Sequence, residues 1–114
     1  MRDLVWMAST RDDLSAAPIS VRKTMGGALR TAQRGGPSEE PRSMRGDLRA
    51  VVEVSEDDRS GTYRLMYTVV IEGFVYVLDF FEKKAKSGIG TPKADLDRVR
   101  IRLKKVRERH APRQ

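Results

Sequence analysis

Two runs of strand-forming residues, Thr62 to Ile71 and Phe74 to Lys83, are separated only by Glu72 and Gly73. That spacing leaves the centre of the chain little alternative to an antiparallel hairpin. With a two-residue loop Ile71 faces Phe74, and counting back pairs Tyr67 with Leu78, Leu65 with Phe80 and Arg64 with Phe81. Alternation then separates two faces. Tyr63, Leu65, Tyr67, Val69, Tyr76, Leu78 and Phe80 form an apolar face, expected to be the core, while Arg64, Met66, Thr68, Asp79, Phe81 and Lys83 form a mixed one. A bulge would shift this register by one and undo part of the assignment. Upstream, Leu48 to Val54 reads as a further strand, Ser55 to Gly61 as its turn, and Leu4 to Met7 as a short first strand.

Helical spacing brackets these strands. Ser9 or Thr10 is placed to cap a brief helix through Leu14 and Ala16. From Pro18, an apolar stripe of Val21, Met25, Leu29 and Ala32 predicts a second helix, stopped by Gly35, Gly36 and Pro37. Gly26 and Gly27 weaken it by roughly 1 kcal/mol each against Ala. Residues 35–47 read as a polar loop, not a domain boundary. Thr91 and Pro92 predict the N-cap and first position of a last helix, with Leu96, Val99, Leu103 and Val106 as its stripe. Arg98, Arg102, Lys105 and Arg109 are expected on the far side, with Arg100, Lys104 and Arg107 flanking the stripe. Residues 110–114, with the lone His110, read as a frayed tail.

The 114 residues, 39% of them hydrophobic, suffice for one core, so residues 1–114 are read as a single domain. With no cysteine and one histidine, neither a disulfide framework nor a zinc cluster can be assembled, and no metal or other cofactor is expected. The longest apolar stretch, between Tyr67 and Phe81, is broken by Glu72, Gly73 and Asp79, which predicts a protein without membrane attachment, in the cytoplasm. From Lys83 onwards there are twelve lysines and arginines against three acids, whereas the preceding 82 residues carry 11 bases and 13 acids. The net charge of +7 is therefore regional. A surface of that kind focuses a polyanion, and a phosphate backbone is the expected partner.

Three segments in this order, Gly61-Thr62-Tyr63-Arg64-Leu65-Met66-Tyr67, Val75 to Gly88 with its Phe81-Glu82-Lys83-Lys84 strand end, and Thr91-Pro92-Lys93-Ala94-Asp95-Leu96, resemble the RelE/ParE toxin superfamily. Within it they are most similar to the phage-derived Gp49-like, HigB-type branch. The resemblance implies an α+β, RelE-like fold: a small antiparallel sheet of three to four strands packed against two N-terminal helices, with a basic C-terminal helix. It also implies a toxin held inactive by a cognate antitoxin, of helix-turn-helix type, and acting as a metal-independent endoribonuclease on mRNA at the ribosome.

In the reaction so implied, a 2′-hydroxyl attacks the adjacent phosphate, which calls for a base, a cation and an acid. Arg64 aligns with the strand arginine that stabilises the phosphate in related toxins, and Lys83 and Lys84 stand where relatives carry a basic pair. Asp79 occupies the place of a common histidine, and Ser55 that of a frequent arginine. Three readings stay open: Asp79 as base, lysines acting with ribosomal RNA, or an enzyme that has lost activity. Phe81, Lys86, Lys93, Arg98, Arg102 and Lys105 are the expected RNA and ribosome contacts. Each has a plainer explanation, since Arg64 and Asp79 could form a cross-strand ion pair and the lysines could guard a sheet edge. Two other functions use the same fold: non-enzymatic binding of nucleic acid, and inhibition of a protein target such as gyrase.

Overall fold

The run Val75-Tyr76-Val77-Leu78 has no polar position, which is the pattern of a strand buried on both faces. The computed structural model, which describes residues 1–35, 42–83 and 91–112, places this strand inside a sheet with helices on both sides. In chain order the elements are β1 (Asp3–Trp6), α1 (Thr10–Ser15), α2 (Ile19–Gln33), β2 (Arg42–Ser43), β3 (Val51–Asp58), β4 (Gly61–Thr68), β5 (Phe74–Lys83) and α3 (Lys93–Arg109). The sheet order is β1-β5-β4-β3-β2. β1 runs parallel to β5, and every other pairing is antiparallel. The expected α+β class is realised, with four principal strands and a two-residue edge, β2, inside the segment read as a loop. Residues 36–41 of that loop, Lys84, Lys86 and the end of the tail lie outside the described residues.

A turn forms at Glu72-Gly73 as expected, but β4 ends at Thr68 and not at Ile71, so the connection is longer than the two-residue loop read from the sequence. The Phe74 amide donates to the Ile71 carbonyl at 3.2 Å, and Gly73 takes a φ of +87° that only glycine adopts freely. The register near the loop is nevertheless offset by one. Tyr67 pairs with Val77, not with Leu78, whereas Leu65–Phe80 and Arg64–Phe81 are as counted. Leu78 is the extra residue, a bulge opposite the Met66–Tyr67 step. Its consequence is that Leu78 and Asp79, consecutive in sequence, both face α3, and that Tyr76 joins them while Val75 and Val77 take their place on the other face.

Both faces are therefore core, which corrects the one-sided sheet expected from alternation alone. On one face Leu14, Val21, Met25, Leu29 and Ala32 of α1 and α2 pack against Leu65, Tyr67, Val75, Val77 and Phe80. On the other, Val99, Leu103 and Val106 of α3 cover Met66, Tyr76 and Leu78. Each fully buried aliphatic side chain contributes about 1.5 to 3 kcal/mol, so the α3 stripe is enough to hold the helix down. The stripe is the expected one. Its C-terminal end is held as well, because His110 Nε2 lies 2.5 Å from the Tyr76 hydroxyl and its ring lies tilted 5.3 Å from that of Phe74, where a frayed residue was expected. No helix among the described residues is long and apolar enough to cross a membrane.

Two glycines test this architecture in opposite directions. A Cβ at Gly27 would meet nothing within 4 Å, so Gly27→Ala should stabilise the protein by about 0.8 kcal/mol through helix propensity. Gly61 has a φ of +152°, and a Cβ there would lie 2.5 Å from Glu82 Oε2. Gly61→Ala should destabilise by about 1 to 2 kcal/mol. Thermal melts of the two variants are expected to move to opposite sides of the wild type.

Candidate active site

Pairing across β3, β4 and β5 arranges the α3-facing side chains in three rows. The first is Glu53, Met66, Asp79; the second Ser55, Arg64, Phe81; the third Asp57, Thr62, Lys83. Exposure rises from row to row. Met66 is inaccessible and Asp79 only 4% exposed, whereas Ser55 and Asp57 are exposed and Lys83 is half-buried.

Arg64 thus has three carboxylates on its diagonals, Glu53, Asp57 and Asp79; Asp57 accepts from the Thr62 hydroxyl at 2.8 Å, and Arg64 bonds Glu53. Arg64 Nη1 donates to Glu53 Oε1 at 2.5 Å, with the two side chains 14% and 12% exposed. The second carboxylate oxygen, Oε2, accepts from the Thr91 hydroxyl at 3.0 Å. That hydroxyl was expected to cap α3, but the helix starts at Lys93 after Pro92, with no side-chain cap. The Arg64 Nε is buried and has no acceptor among the described residues. Glu53 was legible in one respect only, as the single acid within the apolar run from Ala50 to Val54.

The expected pair between Arg64 and Asp79 does not form, because Asp79 is already saturated. Its Oδ2 contacts Arg98 Nε at 2.9 Å and Nη2 at 2.7 Å, and its Oδ1 accepts from Arg102 Nη1 at 3.2 Å and from the Phe80 amide at 3.0 Å. A carboxylate has about four lone-pair sites, and these contacts occupy them. Arg102 Nη1 also donates to the Leu78 carbonyl at 2.8 Å, which ties the bulge itself to α3.

Arg98 and Arg102 therefore turn toward the sheet, where the sequence placed them on the far side of the helix. Arg98 also bonds Asp95 Oδ1 at 2.5 Å, and its guanidinium lies 5.7 Å from the centre of the Phe81 ring. Burial opposes its charge, but the hydrogen bonds it donates to Asp79 and Asp95 more than offset that and hold its pKa above the ordinary arginine value. Phe81, expected as an RNA contact, is half-buried beneath it.

The remaining expected contacts are spread out. Lys93 is exposed at the start of α3, 3.9 Å from Asp97, and Lys105 is exposed with no ion pair among the described residues. Lys83 stands at the end of β5 on the Arg64 face, two residues beyond Phe81. The structure thus brings together Arg64, Phe81, Asp79 and Arg98, adds Glu53 and Thr91, and leaves Lys93 and Lys105 on the outer helix surface. No group of three or more potential metal ligands occurs among the described residues.

The architecture matches a solved toxin. The isolated E. coli RelE toxin superposes with a TM-score of 0.56 at 18% sequence identity, over 89% of this chain and 98% of that one. The chain has the RelE-like fold. A family model described as phage-derived protein Gp49-like matches residues 12–104, and the chain belongs to that family. Comparison with curated proteins finds no match. Family and fold are those implied by the Tyr63-Arg64 strand, the Phe81 to Lys84 strand end and the Thr91-Pro92-Lys93 helix start.

Asp79 joins β5 to α3, so Asp79→Ala should strand two guanidiniums against the sheet. Breaking a buried pair costs roughly 3 to 5 kcal/mol, and the solvent reaching Arg98 lowers the expected loss to about 2 kcal/mol. Urea unfolding should show it. Asp79→Asn, which keeps one carbonyl acceptor, should fall between Asp79→Ala and the wild type.

Proposed function

We propose that this protein is the toxin of a type II toxin–antitoxin pair and that it cleaves mRNA on the ribosome without a metal ion. The observation that carries the reading is the placement of Arg64. It lies in mid-strand on the α3 face, beside Phe81 and one row from Lys83, with most of its guanidinium donors unengaged among the described residues. Membership of the Gp49-like family and the likeness to the RelE toxin support the same reading.

In this reading the 2′-hydroxyl gives its proton to a group of the ribosomal RNA and attacks the phosphorus, the bond from phosphorus to the 5′-oxygen breaks as that oxygen takes up a proton, and a 2′,3′-cyclic phosphate and a free 5′-hydroxyl result. Arg64 bears the charge developing on the non-bridging oxygens, as a planar fork suited to phosphate. Lys83, with Lys84 as its neighbour in sequence, is the candidate donor to the leaving oxygen. Asp79 acts as a positioning residue: saturated by two arginines and an amide, it has no site left for a substrate proton and holds Arg98 over Phe81. Lys93, Lys105 and Lys86 serve electrostatic attraction to RNA, an effect that falls as salt rises. The cognate antitoxin, a helix-turn-helix protein in this reading, keeps the toxin inactive in the cytoplasm.

Brief induction without antitoxin should arrest growth and give new mRNA 5′ ends confined to translated regions. Arg64→Lys separates chemistry from folding. It keeps the charge opposite Glu53, so it should melt near the wild type, yet single-turnover cleavage on programmed ribosomes should fall by roughly 10²-fold because an ammonium cannot replace the fork. Growth arrest with intact mRNA would instead favour inhibition of a protein target.

A further inference from the structure

Resting on the reading of Arg64 as the phosphate clamp, we propose that Glu53 occupies the phosphate place on Arg64 in the resting protein, so that RNA must displace an internal carboxylate to bind. Glu53 is a positioning residue in this scheme. It acts through Arg64 and sets how readily the clamp accepts an anion.

Three features of the geometry support this. First, Glu53 engages Arg64 through one nitrogen, Nη1, although a guanidinium offers five N–H donors and binds phosphate best through two. The Nε is buried without an acceptor among the described residues, so the carboxylate leaves the clamp under-satisfied. Once Arg64 turns out from the sheet, a phosphate with several oxygens can engage both nitrogens. Second, Glu53 has a partner to keep when Arg64 turns away, because its Oε2 already accepts from Thr91. The exchange therefore does not leave a bare carboxylate. Third, the residue opposite Arg64 on β3 is Ser55, whose short, exposed side chain adds little bulk on the path by which an anion would reach Arg64.

Glu53→Gln preserves shape and an oxygen acceptor but removes the charge that competes with phosphate. The measurement is affinity for a short RNA made non-cleavable by 2′-O-methyl groups, by fluorescence anisotropy at fixed salt, with a thermal melt of each variant. Glu53→Gln is expected to bind roughly fivefold more tightly, the scale of a half-buried ion pair. The gain should vanish when Arg64→Lys is also present, since the two residues share one interaction. Glu56→Gln, which removes the same charge from β3 on the opposite face, is the control and should gain less than twofold.

Unchanged or weaker binding by folded Glu53→Gln would overturn the proposal, as would a gain that persists with Arg64→Lys or is matched by Glu56→Gln. Slower cleavage with unchanged affinity would also overturn it and make Glu53 a proton acceptor. Failure of the underlying reading is separately visible: Arg64→Lys alone would then leave both RNA affinity and cleavage as in the wild type.

Discussion

Asp79 is the joint on which the α3 side of the molecule depends. The bulge at Leu78 turns two consecutive residues of β5 to one face, and the second of them is a carboxylate 4% exposed under the helix. Arg98 and Arg102 close on it from one turn of α3, and Arg102 also bonds the bulge carbonyl. The free energy of docking comes from Val99, Leu103 and Val106, because a buried ion pair roughly balances its own desolvation. The ion pairs contribute registry. An aliphatic stripe can slide along the sheet with little change in buried area, whereas two guanidiniums meeting one carboxylate allow a single axial position.

That position decides the state of the site. Thr91, just before α3, reaches Glu53, and Glu53 in turn reaches Arg64. Of the three acids diagonal to Arg64, Asp57 is exposed and bonded by Thr62, which leaves Glu53 and Asp79 as the more buried choices. Because Asp79 is saturated from the helix side, Arg64 goes to Glu53. The arginine at the candidate phosphate place is thus set by a carboxylate one strand away and by arginines more than 30 residues further along the chain.

The same pairing changes how the basic region acts. Arg98 and Arg102 are neutralised against the sheet, and Arg100 bridges Asp47 and Asp97 at the protein surface. The Asp47 carboxyl is held below its ordinary pKa first by its hydrogen bond from Arg100, so this tie is present at neutral pH and is lost only as pH falls through that lowered value. Lys105 and Arg107 have no ion pair among the described residues, and Lys104 is only 3.9 Å from Glu108 at the exposed surface. A cluster that is one block in sequence is divided in space between internal joints and an outer field.

Sequence alone determined what depends on neighbours in the chain: the Glu72-Gly73 turn, the apolar stripes of α2 and α3, and the regional charge. These follow from backbone sterics and from periods of 2 and 3.6 residues, which act over a few positions. The bulge at Leu78, the burial of both sheet faces, the saturation of Asp79 and the choice of Glu53 by Arg64 were decided by tertiary structure. Each is a competition between partners far apart in sequence, and its outcome depends on which groups the packing of α3 brings within hydrogen-bonding distance.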